Sequence, residues 1–505
     1  MSLNKRNNGI LLHITSLPSK YGVGDFGDEA FAFIDFLKRS KVGFWQLLPL
    51  GPTGYGNSPY SSRSTFAGNE YLLSIDSLID DGYLNTEDTK VFTNINEGYI
   101  DFNIVENLKK PLLFKAANNF IKMQKETDEF EKFISENAFF LDDYAIFMAL
   151  VDHYYDARWY SIWDQAIAKR EEKALEKVRK DFKTEILQYK VLQYLFFKQW
   201  FALKKYANKN GIQIIGDLPI FVAGDSVDSW SNIHLFKTDG NNNYTDVSGC
   251  PPDSFTSDGQ RWGNPVYNWE VHKKNNYKWW IARIKQQLKL YDIIRIDHFR
   301  GFEAYWEIPS SHTTAKHGKW VKGPGQELFD AIREELGELP IIAEDLGFMT
   351  KEVEILRMNN KFPGMKIGIF GFSWDDNNNF DYANIDLPTN YEENCIAYPG
   401  THDNQTIRGW FNSLKIDKQN FMLELLCTDK DNFVWAFIKE IYSSKANIVI
   451  TQMQDLLEKD DKSRMNIPST CGPFNWSWQL KSNENLMNVE NKLKLLNTYY
   501  KRVSF

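Results

Sequence analysis

Cysteine is scarce in this chain of 505 residues, and the four that are present lie far apart. Cys250, Cys395, Cys427 and Cys471 include no pair separated by two residues, which is the spacing of zinc ribbons and dithiol redox motifs. So few cysteines in so long a chain indicate no disulfide framework, and free thiols are the default in a reducing compartment. The cysteine content therefore predicts an intracellular protein.

Long apolar runs and an excess of positive charge are also missing. The N-terminal run at residues 10–12 is too short for the core of a signal peptide, and no stretch approaches the roughly 20 apolar residues that span a bilayer. The formal net charge is −8, so the basic footprint of a nucleic-acid binder is absent. We predict a cytoplasmic protein with no membrane or nucleic-acid partner, and a neutral substrate fits this charge.

Aromatic residues, in contrast, are abundant, with 16 Trp, 24 Tyr and 36 Phe. A rich core accounts for most of them. Some rings can instead line a groove and stack on sugars, because aromatic side chains give a large contact area at a low entropy cost. Composition alone leaves both interpretations open.

Eight short apolar runs end in Gly, Pro or polar residues, as buried parallel strands do. Helical stretches at 29–39, 277–290 and 327–335 separate several of them. Eight alternating units of this kind predict a (β/α)8 TIM barrel. The predicted strands are 9–14, 43–48, 213–217, 292–297, 340–344, 365–370, 395–398 and 447–451.

The spacing of the runs predicts where the barrel carries insertions. A bare barrel needs about 250 residues, so about half of the single catalytic barrel at 1–505 must be inserted. We predict a largely helical subdomain at 52–190, which contains the helical stretches 130–147 and 166–183, and a loop-rich subdomain over the active site at 218–290. Only about fifty residues follow the eighth run, which predicts no C-terminal β-sandwich.

Acids stand at the ends of four predicted strands: Asp217, Asp297, Glu344 and, just after the seventh strand, Asp403. One acid at a strand end is usually a turn cap or an ion-pair partner. Four acids on one rim are hard to explain structurally, because clustered carboxylates repel each other, and the active sites of TIM barrels lie at this end. The pattern indicates a catalytic carboxylate cluster suited to glycosidic bonds.

The neighbours of these acids suggest separate roles. Arg295 lies two residues from Asp297 on one strand face and favours its ionised form, as a nucleophile requires. Burial beside another acid raises the pKa of Glu344, which suits a general acid that later acts as a base, whereas Asp345 should face away in a structural role. A separation of about 5–5.5 Å between the Asp297 and Glu344 carboxyl groups would define a retaining mechanism, and one beyond about 6.5 Å an inverting mechanism.

Two histidines, His298 and His402, each adjoin one of the acids. A single histidine is more often a core residue than a functional one. Because both flank acids at the rim, we favour binding of substrate hydroxyls.

Longer motifs resemble one family of the α-amylase clan, the amylomaltases or 4-α-glucanotransferases, and the matches run almost from end to end. They include Ser16-Leu17-Pro18-Ser19, Gly54-Tyr55-Gly56-Asn57-Ser58-Pro59-Tyr60, Gly216-Asp217-Leu218-Pro219, Arg295-Ile296-Asp297-His298, Ala343-Glu344-Asp345-Leu346-Gly347 and Gly400-Thr401-His402-Asp403-Asn404.

The resemblance implies a (β/α)8 barrel without a C-terminal amylase domain, no cofactor or metal, and maltooligosaccharides and α-1,4-glucans as substrates. It implies Asp297 as nucleophile, Glu344 as acid/base and Asp403 as transition-state stabiliser. The implied substrate-binding residues are those of the donor subsite, Tyr60, Asp217, Arg295, His298 and His402, those of the acceptor side, Phe255 and Trp262, and Tyr55 in a second glucan-binding patch.

Two positions depart from the family pattern and affect the expected acceptor preference. Ser469 stands where the pattern Asn-x-Pro-Gly-Thr has glycine, and it should stiffen a loop at the groove. Gly368 stands where a larger residue is usual. We expect neither to change the chemistry.

Three alternatives to a glucanotransferase remain open from the sequence. The same carboxylates could catalyse hydrolysis, in which water replaces the acceptor sugar. A metal-dependent hydrolase could use Asp297, His298, Glu344, His402 and Asp403 as ligands, although the first strand lacks the His-x-His pair that such barrels usually carry. The chain could also bind glucans without catalysis. The sequence predicts no oligomeric state.

Overall fold

The computed structural model describes residues 3–93, 95, 97–123, 127–252 and 256–503. Within these residues the chain forms twelve strands. They are β1 (Asn7–Leu11), β2 (Phe44–Gln46), β3 (Gln213–Pro219), β4 (Asp246–Cys250), β5 (Gln260–Pro265), β6 (Ile293–Asp297), β7 (Ala304–Pro309), β8 (Lys319–Lys322), β9 (Ile341–Ala343), β10 (Gly364–Ile367), β11 (Cys395–Tyr398) and β12 (Ile448–Gln452).

Nineteen α-helices occupy a large part of the remaining described chain, and short 3-10 turns link several of them. They are α1 (Asp28–Arg39), α2 (Ile75–Asp80), α3 (Phe102–Ile104), α4 (Lys110–Met123), α5 (Thr127–Tyr154), α6 (Gln165–Ala168), α7 (Glu172–Asp181), α8 (Lys183–Lys209), α9 (Val227–Ser231), α10 (Trp269–Lys274), α11 (Lys278–Leu290), α12 (Gln326–Leu336), α13 (Lys351–Asn359), α14 (Gly368–Gly371), α15 (Ile407–Ser413), α16 (Ile416–Leu425), α17 (Phe433–Ser443), α18 (Met453–Leu456) and α19 (Leu486–Tyr499). No helix of the described residues is both long and apolar enough to cross a membrane.

Eight of the strands form one parallel sheet in the order β10-β11-β12-β1-β2-β3-β6-β9. The Ala343 amide on β9 donates to the Pro363 carbonyl, just before β10, at 3.0 Å, and this bond brings the two ends of the sheet together. All side chains of β1, β11 and β12 are buried, as expected for strands covered on both faces. The (β/α)8 barrel is therefore confirmed, and each of the eight predicted strands overlaps an observed one.

The predicted helices next to the barrel strands also form, as α1, α11 and α12. Helix α1 shows why. It has Asp28 and Glu29 in its first turn and Lys38 and Arg39 in its last turn, which complements the helix dipole at both ends. Its apolar face, which includes Phe33, is buried against the core.

Between β2 and β3 the described chain is largely helical and contains α2 to α8, of which α5 and α8 are the longest helices. A buried ion pair joins this part to the barrel: Lys109 Nζ, at the end of the π-helical turn Val105–Lys109, lies 3.0 Å from Asp25 Oδ2 on the loop after β1. A charge as deeply buried as that of Lys109 needs such a partner.

The stretch after β3 contains more than the loops expected there. Strands β4 and β5 pair with β7 and β8 in an antiparallel sheet of order β5-β4-β7-β8. The sequence of β4, Asp-Val-Ser-Gly-Cys, has little β-propensity, so its pairing depends on β7, which lies beyond the predicted insertion. Tertiary context rather than local sequence makes this sheet.

At the end of the barrel opposite the carboxyl ends of the strands, one arginine connects three segments of the chain. The fully buried Arg502 donates to the carbonyl oxygens of Tyr442 at 3.0 Å, Ser444 at 3.0 Å, Ala446 at 2.9 Å and Asn7 at 3.4 Å. These carbonyls belong to the C-terminal part of α17, the turn before β12 and the start of β1. Arg502 thus joins the end of the chain to its beginning.

Replacing Arg502 with Met should destabilise the protein by about 2–4 kcal/mol, because several buried carbonyls lose their donor. Activity at 25 °C should persist, since Arg502 lies at the end of the barrel away from the carboxylates. A thermal melt followed by circular dichroism measures the change. The control is Arg39→Met, which removes an exposed ion pair with Glu490 and should change stability by less than about 0.5 kcal/mol. Equal melting curves for the two variants would contradict the prediction.

Candidate active site

The carboxyl ends of the barrel strands bring the predicted acids to one rim. Asp217 lies on β3, Asp297 ends β6, Glu344 follows β9 directly and Asp403 lies on the loop after β11. Because β3, β6 and β9 are adjacent in the sheet, the first three acids are neighbours. The structure therefore gathers the residues that the sequence singled out as candidates.

A buried guanidinium holds two of these acids together. Arg295 Nη1 donates to Asp217 Oδ1 and Oδ2, both at 2.7 Å, and to Asp297 Oδ1 at 3.0 Å. The Tyr60 hydroxyl donates to Asp217 Oδ2 at 2.7 Å. Burial lowers the pKa of Arg295, but the two carboxylates outweigh it and hold that pKa well above its usual value. Arg295 is therefore a permanent positive charge in the barrel core.

The Asp297 carboxyl remains mostly ionised at neutral pH, and Arg295 favours this ionised form, as the sequence predicts, against the effect of burial. Burial raises its pKa to about 6, Arg295 opposes that rise, and the charges of Asp217 and Asp403 add to it. Arg295 alone would have lowered the pKa. The net value still lies below 7, which leaves a carboxylate able to act as a nucleophile.

Glu344 has the opposite character. Burial, followed by the charge of Asp297, raises its pKa to about 8, so it is protonated at neutral pH. Its Oε2 accepts from the His298 amide at 2.6 Å and its Oε1 from the Leu346 amide at 3.0 Å. His298 has a φ of 54°, and this left-handed conformation, uncommon for a non-glycine residue, accompanies the bond from its amide to Glu344.

Asp345 faces away from the cluster, as the strand alternation predicts. Its Oδ1 accepts from the Met365 amide at 2.7 Å, and its Oδ2 lies 3.1 Å from Arg357 Nε. A side chain at Gly364 would clash, since a Cβ there would lie 2.2 Å from Asp345 Oδ2. Asp345 thus joins β9 to β10 directly behind Glu344.

Asp403 is held by three neighbours. His402 Nε2 lies 3.3 Å from its Oδ2, Asn466 Nδ2 donates to its Oδ1 at 2.6 Å, and Arg464 Nη2 donates to its carbonyl at 2.6 Å. Burial raises the pKa of Asp403, but the charge of His402 and these hydrogen bonds outweigh it and lower the pKa to about 2. Burial lowers the pKa of His402, and Asp403 reverses that shift and raises it. Asp403 is therefore ionised throughout the neutral range.

Aromatic rings form one wall beside the acids. The rings of Tyr60 and His402 stack with centroids 5.1 Å apart, and the ring of Trp476 lies 5.7 Å from that of Tyr60. On the other side, Trp262 meets His298 edge to face at 4.7 Å. Burial lowers the pKa of His298 to about 3, so its ring is neutral.

Sequence reasoning assigned no role to Trp476, Arg464 or Asn466. Asn466 belongs to the same short motif as Ser469, but the motif indicates no role for it. Nothing in the local sequence distinguishes Trp476 or Arg464. Only the folded chain shows that the loop containing these residues contacts Asp403 and the Tyr60–His402 pair.

Two candidate residues remain, Tyr55 and Phe255. Tyr55 is 73% exposed on the 3-10 turn Tyr55–Asn57, and its hydroxyl bonds to Cys471. Phe255 lies outside the described residues. The role of Tyr55 in a second glucan-binding patch stays a prediction.

The structure shows the backbone conformation of Ser469 and the packing around Gly368, the two positions that depart from the family pattern. Ser469 has a φ of 63°, a left-handed conformation that favours glycine, which fits glycine as the usual residue there. A Cβ at Gly368 would lie 2.6 Å from Ile441 Cδ1 on α17, so in this chain a larger residue there requires the Ile441 side chain to move. Their effect on acceptor preference stays a prediction.

A parallel eight-stranded barrel with one ionised and one protonated carboxyl at its mouth defines an enzyme of carboxylate-based acid–base chemistry. Among the described residues, no group of three or more histidine, cysteine or acidic side chains is arranged to hold a metal ion.

Comparison with known proteins gives the particular family. The model of the 4-alpha-glucanotransferase family matches residues 12–485, and the chain belongs to this family. The chain is 46% identical to the 4-alpha-glucanotransferase of Streptococcus pneumoniae serotype 4, over 99% of this chain and 98% of that protein. It is 42% identical to the Thermus thermophilus 4-alpha-glucanotransferase, over 94% and 95% of the two chains. The structure of amylomaltase from Streptococcus agalactiae in complex with acarbose superposes with a TM-score of 0.94 at 43% identity, covering 99% of this chain and 100% of that one.

Removing the charge of Asp217 should move the acidic limb of the pH profile. Asp217 raises the pKa of Asp297, so Asp217→Asn should lower that pKa and shift the loss of kcat/KM to more acidic pH. The value of kcat/KM at the optimal pH should also fall by about 10- to 100-fold if Asp217 binds sugar, because a hydrogen bond to a charged group contributes about 1.5–3 kcal/mol.

The profile is measured with maltotriose between pH 4 and 9. Asp228→Asn serves as the control, since it changes a buried carboxyl group that accepts from the Thr65 amide at 2.8 Å, and the main causes of the Asp297 pKa shift are other groups. If the acidic limb of the Asp217→Asn profile stays in place or moves toward neutral pH, the electrostatic coupling between Asp217 and Asp297 is refuted.

Proposed function

We propose that this 4-α-glucanotransferase transfers α-1,4-glucan segments between maltooligosaccharides through a covalent glycosyl-aspartate intermediate, with retention at the anomeric carbon. Family membership establishes the transferase activity. The assignment of steps to residues is the proposal. One observation carries it: Asp297 and Glu344 lie at one rim with pKa values of about 6 and about 8, so one is ionised and the other protonated at pH 7.

In the first step, Glu344 donates its proton to the glycosidic oxygen while the Asp297 carboxylate attacks the anomeric carbon. The bond to the leaving sugar breaks, and an ester between Asp297 and the donor glycosyl unit forms. The mechanism requires about 5–5.5 Å between the two carboxyl groups, and this separation stays a prediction.

In the second step, the 4-hydroxyl of an acceptor glucan attacks the same carbon and gives its proton to the Glu344 carboxylate. The ester bond breaks and Asp297 is released as a carboxylate. Two inversions give net retention. Glu344 is suited to both steps because its raised pKa lies close to neutral pH.

The other residues of the site would bind the donor sugar. The ionised Asp403, fixed by His402 and Asn466, would accept hydrogen bonds from hydroxyls of the distorted ring and oppose its developing positive charge. Tyr60, Asp217, Arg295 and His298 would complete the donor subsite, and Trp262 and Phe255 would shape the acceptor side.

The domain limits and the location belong to the same proposal. We assign 1–505 to one catalytic barrel, with inserted subdomains at 52–190 and 218–290. Cys250, Cys395, Cys427 and Cys471, all in the described part of the chain, form no disulfide, which supports a cytoplasmic location.

Incubation with maltotriose separates transfer from hydrolysis. Transfer should give glucose and longer oligomers while the concentration of reducing ends stays constant. Hydrolysis would raise the reducing ends steadily, and a rise that matches the glucose released would overturn the transfer assignment.

Variants of the two central carboxylates test their roles. Asp297→Asn should lower kcat by about 10⁴-fold or more. Glu344→Gln should lower kcat by about 10²- to 10⁴-fold. It should also remove the alkaline limb of the pH profile of kcat, because the group that deprotonates near pH 8 is gone. Asp330→Asn, which changes an exposed carboxylate on α12, should leave both kcat and the profile unchanged. Full turnover by Asp297→Asn would refute the nucleophile assignment.

A further inference from the structure

A loop that displays aromatic rings leaves the barrel mouth between Glu344 and Asp403. It follows β10, which pairs with β11 and contacts β9 through the bond from Ala343 to Pro363. After α14 the chain turns back on itself: Trp374 and Phe380 form an antiparallel bridge. We call residues 370–386 the arm.

Hydrogen bonds hold the two legs of the arm together. The Asp381 amide donates to the Ser373 carbonyl at 3.0 Å, and Asn384 Nδ2 donates to the Phe370 carbonyl at 2.9 Å. At the turn, Asp375 Oδ1 accepts from the Asn379 amide at 2.8 Å. The arm is thus a defined structure that begins at the rim of the active site.

Two aromatic rings of the arm, those of Tyr382 and Phe370, face solvent. The Tyr382 residue is 68% exposed and Phe370 is 42% exposed. Tyr382 meets Phe380 edge to face at 4.9 Å, and Phe380 in turn packs against Phe421 of α16 at 5.0 Å. Phe380, Phe421 and Trp374 form a small half-buried core, and Tyr382 lies on top of it with most of its surface in water.

The chemistry around these rings matches a sugar chain. The turn of the arm, residues 375–379, consists only of exposed aspartate and asparagine side chains. A glucan presents apolar C–H faces, which stack on rings, and hydroxyl edges, which bond to carboxylates and amides. An exposed ring with such groups beside it can bind both parts of a neutral polysaccharide.

We propose that the arm binds the distal part of a long α-1,4-glucan that extends out of the active site, with the Tyr382 ring as its main stacking surface. The inference rests on the proposed function for the identity of the glucan. It commits to this ligand because the arm is continuous with the rim between Glu344 and Asp403. We expect a short substrate such as maltotriose to depend less on Tyr382 than a long glucan does.

The test compares Tyr382→Ala with the parent enzyme on two substrates. For amylose as acceptor, the variant should raise KM about fivefold to tenfold, equivalent to about 1–1.4 kcal/mol. For maltotriose disproportionation, kcat/KM should stay within a factor of two. Tyr382→Phe keeps the ring and should retain the parent KM for amylose, and equal losses in the two variants would refute stacking.

Tyr499→Ala is the matched control, because Tyr499 is 73% exposed and lies at the end of α19, three residues before Arg502 at the opposite end of the barrel. It should leave both substrates unaffected. Amylose affinity is also measured in the inactive Asp297→Asn background by affinity electrophoresis, so the arm is tested even if the parent enzyme hydrolyses rather than transfers.

Two results would overturn the proposal. One is an unchanged amylose KM and affinity in Tyr382→Ala. The other is a change in sedimentation behaviour of Tyr382→Ala with unchanged amylose affinity, which would assign the exposed rings to contact with a second copy of the chain.

Discussion

The site depends on one buried positive charge. Asp217, Asp297, Glu344 and Asp403 could not share a rim if each kept its charge uncompensated, because like charges in a poorly solvated site repel strongly. Arg295 pairs with Asp217 and Asp297 and offsets part of their combined charge, and its own burial is tolerable because these two carboxylates contact it. The position of this guanidinium on β6 therefore decides how closely the barrel strands can bring their acids together.

With the positive charge of Arg295 in place, small differences in environment give the carboxyl groups of Asp297, Glu344 and Asp403 different pKa values. Asp297 accepts a hydrogen bond from Arg295, whereas Glu344 accepts from the backbone amides of His298 and Leu346, and the charge of Asp297 raises its pKa. The first is mostly ionised at neutral pH and the second is protonated. Asp403 differs again, since a histidine and an amide side chain hold it in the charged form. Three carboxyl groups thus have three different pKa values within one barrel mouth, about 6, about 8 and about 2.

The sequence predicted what local patterns encode. Apolar runs identified all eight barrel strands, and the rule that barrel chemistry lies at the carboxyl ends of strands identified the acids. It could not identify contacts between distant segments, such as Trp476 beside Tyr60 or Arg464 beside Asp403. Nor could it show that burial outweighs Arg295 at Asp297, or that β4 would pair with β7 although its own sequence favours no strand, because these outcomes depend on the surrounding tertiary structure.

The contact between Arg502 and the start of β1 has a consequence for biosynthesis. One edge of β1 pairs with β12, so the first strand made waits for nearly the last segment of the chain before the barrel can close. At about 5–20 residues per second, a ribosome takes roughly 20 to 90 seconds to supply that partner. During this time an apolar strand edge is open to other nascent chains. Closure of the barrel therefore has to wait until β12 has left the ribosome.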